Sequence, residues 1–203
     1  TSNQFNQKSL RNKKMKLKIE NLLSLEDYDN QREDIKKDLI DHKKYRTVSI
    51  GEHIILLFEN YSTIKYQVQE MLRIEKIFNK KEIQEEIDAY NPLIPDGNNL
   101  KATMLIMYPD VDERKVMLSK LHDIENNIWI SCGSKKIIAF ADEDLERSRD
   151  NKTSAVHFLR FQLDQDVITA FLSNKKISLG VDHKEYNNKV ELDYGSSIYQ
   201  TKF

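Results

Sequence analysis

Three ionisable residues stand where the surrounding pattern calls for apolar ones, and together they supply the groups that acid–base or metal chemistry needs. Glu75 lies in a predicted helix from Ser62 to Phe78 whose apolar stripe is Ile64, Val68, Met71, Leu72 and Phe78. At 3.6 residues per turn it falls about 20° around from Ile64, inside that stripe. Glu86 borders the stripe of Ile83, Ile87 and Tyr90 in the next predicted helix, Lys80 to Tyr90. Packed as a hairpin, the two helices turn both carboxylates toward a common interior. His157 shares one face of a predicted strand, 153–163, with Ala155, Leu159 and Phe161, while Arg160 lies on the other with Val156 and Phe158.

A carboxylate turned toward a core must be paired, protonated or bound to a metal. Two readings follow. In one, Glu75, Glu86 and His157 hold iron, manganese or zinc, or act as general acid and base in a pocket. In the other, Glu75 makes a buried ion pair with Arg160 or Lys101, and His157 is a hydrogen-bonded core histidine. No Glu-x-x-His occurs on a helix, the spacing that carboxylate-bridged di-iron bundles use. Glu70 and Arg73 form an ordinary i,i+3 pair on the opposite side. Lys101, Arg160, Tyr66 and Asn91 are the candidates for holding a ligand, the two cations for orienting an anion.

The remaining chemistry-bearing residues read as structural. His42, His53, His122 and His183 are scattered without ligand spacing and read as surface or turn histidines. Cys132 sits in a strand with no His-paired nucleophile pattern, as a small hydrophobe. Five glycines leave no phosphate-cradling loop, and the acidic run at 142–147 lacks the central glycine of a calcium loop.

These residues are positioned by interleaved helices and strands. One or two helices are expected across 20–45. A hairpin follows, with strands 47–50 and 53–58 about a Gly51-Glu52 turn. The two helices above come next and end at Asn91-Pro92, since the residue before proline leaves helical geometry. After the turn at Pro95-Asp96-Gly97 a strand runs from Leu100 to Tyr108, and Asp110 with Glu113 caps a helix to about His122. A second hairpin spans 127–141 about Gly133-Ser134. A short helix over 142–147, the strand 153–163, a helix capped by Asp164 and a last strand 177–181 complete the set. Two tight hairpins require antiparallel pairing, so the fold class is α+β, an antiparallel or mixed sheet with the acidic helix pair packed on it.

A chain of 203 residues suits one domain with tails. The expected division is a basic leader at 1–18, a globular domain at 19–185 and a polar tail at 186–203. The leader carries Lys8, Arg11, Lys13, Lys14, Lys16 and Lys18 without an acid, and residues before Met15 read as an upstream extension. A net charge of −1 argues for no nucleic-acid partner, and no apolar run is long enough for a membrane span. One cysteine forms no internal disulfide, which fits a reducing cytoplasm.

Several long motifs carry a resemblance. GluMetLeuArgIleGlu at 70–75, AlaTyrAsnProLeuIleProAspGly at 89–97 with AsnLeuLysAlaThr following, AspGluAspLeuGluArg at 142–147, LysThrSerAlaValHisPheLeuArgPhe at 152–161 and GlyValAspHis at 180–183 resemble a bacterial family catalogued as domain of unknown function 3501. The likeness spans about Leu25 to His183. It implies neighbours such as rubrerythrin-like proteins and iron–sulfur oxidoreductases. From this the chain is expected to be an accessory or partner protein in a redox or peroxide-detoxification system, binding a metal or small anionic ligand. The alternative is an enzyme using Glu75, Glu86 and His157 on an anionic small molecule.

Overall fold

The structure is a computed structural model that describes residues 16–141, 153–173 and 176–192. Among the described residues nine strands form two wholly antiparallel sheets, which makes the protein α+β as its hairpins require. The first sheet has the order β1 (Thr47–Ile50), β2 (Ile54–Phe58), β3 (Asn99–Ile106), β7 (Val156–Gln162), β6 (Phe140–Ala141). The second has the order β5 (Lys135–Ile138), β4 (Ile128–Cys132), β8 (Ile177–His183), β9 (Tyr186–Leu192). Alternation along β2 and β3 sends Ile54, Leu56, Phe58, Leu100, Ala102 and Met104 into the interior, where they meet Ile130, Leu179 and Val181 of the second sheet.

The helices α1 (Leu25–Lys44), α2 (Tyr61–Glu75) and α3 (Lys80–Tyr90) gather a second, smaller apolar cluster from Leu17, Ile64, Val68, Leu72, Ile87 and Ile94. A buried polar network fastens this layer to the first sheet. Glu59, at the end of β2, accepts from the hydroxyls of Thr63 on α2 and Thr103 on β3, the latter at 2.6 Å. Arg46 donates Nε to the Phe58 carbonyl at 3.0 Å, and burial lowers its pKa against the opposing pull of Glu59. The short α4 (Val111–Lys120) and α5 (Gln165–Leu172) start where Asp110 and Asp164 cap them. No helix among the described residues is long and apolar enough to cross a membrane.

Several boundaries differ from the sequence reading, each for a local reason. His53 leaves β2 to stack on Tyr108 at 4.0 Å, so three residues rather than two turn the first hairpin. Asn60, not Ser62, caps α2, and the helix stops at Glu75 because Lys76 adopts a left-handed conformation with φ 54°. Phe78 therefore lies beyond the helix and is exposed. The second hairpin's return strand splits: β5 pairs with β4, and after Ala139 the chain crosses to the first sheet as β6. The expected helix at 142–147 lies outside the described residues. Residues from Tyr186, expected as a polar tail, form β9, an edge strand whose exposed face is polar. Leu17, assigned to the leader, is buried in the helical cluster.

The GlyValAspHis run at 180–183 has a packing explanation. The Trp129 indole lies across Gly180, where a Cβ would stand 2.2 Å from Cζ2. Its N–H donates to Asp182 at 2.8 Å, and Lys136 sits 4.3 Å over the ring. At the far end of the sandwich the Tyr186 hydroxyl donates to the Ile50 carbonyl at 2.6 Å and accepts from the His53 amide at 3.0 Å. The hydroxyl fills the space beside Gly51, whose φ of 67° also requires glycine.

Candidate functional site

The residues singled out by pattern are divided among five places. Glu75 and Glu86 are neighbours across the α2–α3 hairpin, but at its surface. Glu75 is exposed on the last turn of α2, past the docked part of the stripe. Glu86 is half-buried, and burial followed by the charge of Glu75 raises its pKa. A buried ion pair from Glu75 to Arg160 or Lys101 is therefore corrected to a surface carboxylate.

His157 lies in the sandwich interior with no exposed surface. Its Nε2 sits 2.8 Å from the Thr153 hydroxyl and 3.0 Å from the Ser154 carbonyl, and Thr153 lies 3.1 Å from a buried carboxylate oxygen of Glu125. One proton arrangement satisfies this set: Nε2–H donates to Ser154 and Thr153, and the threonine donates to Glu125. These bonds anchor the start of β7. Among the described residues no group of three or more His, Cys, Asp or Glu side chains is placed to hold a metal ion.

Lys101 and Arg160 are direct cross-strand partners on the outer face of the first sheet, with the Arg160 guanidinium 4.5 Å over the Phe140 ring. Asn91 binds the chain itself: its amide accepts from Leu17 N–H at 2.8 Å and donates to Leu17 C=O at 3.1 Å. Gln69 does the same for Leu23, accepting its N–H at 2.6 Å. Two side-chain amides thus hold the segment from Leu17 to Leu23 against α2 and α3.

Tyr66 belongs to a cleft of about 410 Å³ between α1 and α2. Ile35, Asp38, Leu39 and His42 line it from α1, and Ser62, Lys65, Tyr66 and Gln69 from α2. Both sets have the i, i+3, i+4, i+7 spacing of a single helix face. The cleft exists because α1, twenty residues long, buries only Tyr28 and Leu39 and so docks thinly.

The two helices run antiparallel, which gives the cleft two different ends. At one, Arg32 grips Glu70 through Nε at 2.8 Å and a terminal nitrogen at 3.0 Å, and the Tyr28 hydroxyl donates to the same carboxylate at 2.7 Å. The Arg32 bonds, with those of Tyr28 and Arg73 adding to them, hold Glu70 down at about 2. Burial pushes the Tyr28 phenol up, so it remains a donor. At the other end the Asn60 amide, oriented by accepting from Thr63 N–H, donates to His42 Nε2 at 3.0 Å. Nδ1 of His42 is then the protonated nitrogen. Among the described residues Ser62 Oγ, Lys65 Nζ and the Tyr66 hydroxyl make no hydrogen bond within the protein.

Sequence reasoning took His42 for a surface histidine and Ser62 for a cap. The signal that could have found them was the matched spacing of polar residues on two facing helices, a pattern that a solvated face also shows.

Comparison with known proteins places the chain among relatives. A family profile described as "Protein of unknown function (DUF3501)" matches residues 16–198. A solved structure, described as a novel protein of unknown function from Burkholderia pseudomallei K96243, is 44% identical, with a TM-score of 0.86 over 92% of this chain and 98% of that one. No curated protein matches. With most of its length inside the profile, the chain belongs to the DUF3501 family.

Proposed function

We propose that this protein is a binding module rather than a catalyst, and that a small molecule seats in the cleft between α1 and α2. The observation that carries this reading is the cleft itself: about 410 Å³, within the range of ligand pockets, with an apolar floor and unengaged polar groups at one end. A ligand there supplies the burial that α1 lacks and fixes that helix. The acid–base alternative draws less support, because His157 is enclosed with Glu125 and Thr153 while Glu75 and Glu86 lie at the surface of a helix hairpin.

The role beside redox proteins rests on the family resemblance. In that setting the loaded protein acts as an accessory to a rubrerythrin-like or iron–sulfur partner. A fragment screen by amide chemical-shift mapping tests the binding reading. Hits that perturb residues 35–42 and 62–69, and that are lost when Ile35→Trp fills the cleft, are expected. Hits that map elsewhere, or that survive Ile35→Trp, overturn it.

A further inference from the structure

The polarity of the cleft narrows its ligand, on the reading that the cleft is the ligand site. We propose that it takes a monocarboxylic acid with an unbranched or flat apolar body, the carboxylate at the His42–Ser62 end and the body directed toward Tyr28. Three observations converge on this orientation.

The first is the distribution of donors. His42 presents Nδ1–H because Asn60 occupies Nε2. Ser62 Oγ and Lys65 Nζ line the same end. These are an imidazole N–H, a hydroxyl and a full positive charge, beside the N-terminal turn of α2, whose dipole adds to the attraction for an anion. The second is the apolar remainder. Leu23, Ile35 and Leu39 with the Tyr28 and Tyr66 rings form the floor, and the Glu70 clamp closes the opposite end. From Ser62 to Gln69 the lining of α2 runs about 10 Å, a length that an extended chain of roughly eight carbons fills.

The third observation selects the charge. Lys65 is the one lysine of the lining, whereas Lys43 lies outside it, 5.7 Å over the Tyr66 ring. Asp38, one turn before His42 on the same face, adds a negative charge at the mouth. With Asp38 offsetting Lys65, the lining carries no net charge, and a single negative charge is the most that the His42 Nδ1–H, Ser62 Oγ and Lys65 donors take up. A phosphate dianion meets Asp38 with a charge to spare, and an alkylamine meets Lys65 and the donor end with the wrong sign.

Calorimetric titration with octanoate, octanol, octylamine and octyl phosphate tests the assignment on the wild type, Lys65→Met and Ile35→Trp. Lys65→Met keeps the apolar stem and removes the charge. Octanoate is expected to bind the wild type about tenfold more tightly than octanol, a difference of about 1.4 kcal/mol. Lys65→Met should erase that advantage while leaving octanol affinity unchanged, which also shows the variant to be folded. Ile35→Trp should abolish both. Equal affinity for octanoate and octanol, or indifference to Lys65→Met, overturns the carboxylate assignment and leaves the cleft reading standing. Preference for octylamine or octyl phosphate, or no binding by any of the four, overturns it likewise. Binding that is indifferent to Ile35→Trp overturns the cleft reading itself.

Discussion

Replacing Glu70 by glutamine removes one charge from the clamp that joins α1 to α2 and leaves an acceptor for the Tyr28 hydroxyl. The magnitude follows from the depression of the Glu70 carboxyl to about 2 from an ordinary 4.5. A depressed carboxylate stabilises the fold above its unfolded value, and that stability is lost as pH falls toward the folded one. Here the contribution is about 3 kcal/mol at pH 7, about 1 kcal/mol at pH 3 and close to nothing at pH 2. The side chain is only 16% exposed, so solvent screens little of it. Urea unfolding of wild type and Glu70→Gln at pH 7, 5, 4 and 3 measures the difference, from which other titrating groups cancel. At pH 7 the variant should also melt about 6–12 °C lower. A gap of equal size at pH 7 and pH 3 would refute the reasoning, since the loss would then come from packing and not from charge.

Other perturbations have outcomes that the geometry sets. Gly180→Ala drives a methyl into the Trp129 indole and should cost about 1–3 kcal/mol, with a shift in tryptophan emission; unchanged stability and emission together would contradict the contact. Asn91→Ala removes both bonds to the Leu17 backbone, at about 1–3 kcal/mol, and should speed tryptic cleavage at Lys16 and Lys18. Equal cleavage rates would show that the amide does not hold this segment. Glu75→Gln should alter stability by less than about 0.5 kcal/mol, and a drop of several times that would return Glu75 to the interior.

What the sequence made legible was local chemistry. Asp110 and Asp164 announce helix starts because a carboxylate before an amphipathic run has orphan N–H groups to satisfy, and both do so. The second hairpin's first half followed from Gly133, whose φ of 61° is the conformation a tight turn needs. Less legible were features decided by distant residues. The end of α2 is set by a lysine, not a glycine, in the left-handed region, so the stripe read from periodicity ran on to Phe78, beyond the helix, and took in Glu75 on a last turn that is exposed. Alternation turns His157 toward the core and leaves open whether it is a ligand or a hydrogen-bonded core histidine, because its companion Glu125, thirty-two residues earlier in a 3-10 turn, carries no pattern to mark it. β9 alternates polar residues along an exposed edge, so hydropathy reads it as tail. The cleft is hardest of all, because a row of Asp38, His42, Ser62 and Lys65 looks like ordinary solvated helix, and only the void between the two rows sets it apart.

The tie from Tyr186 to the first turn bears on how the chain reaches this state during synthesis. Ile50 and Tyr186 are 136 residues apart, and His53 and Tyr186 are 133 apart. The turn of the β1–β2 hairpin is held first by His53 against Met107 and Tyr108, and gains its bonds to Tyr186 only when nearly all the described chain has been made. Contacts of such long range slow folding because the loop between them must close first. The β2 edge is covered once β3 follows, but the inward face of Ile50, Ile54 and Leu56 stays uncovered until β4 and β8 arrive, and such exposed apolar surface is open to association with other nascent chains.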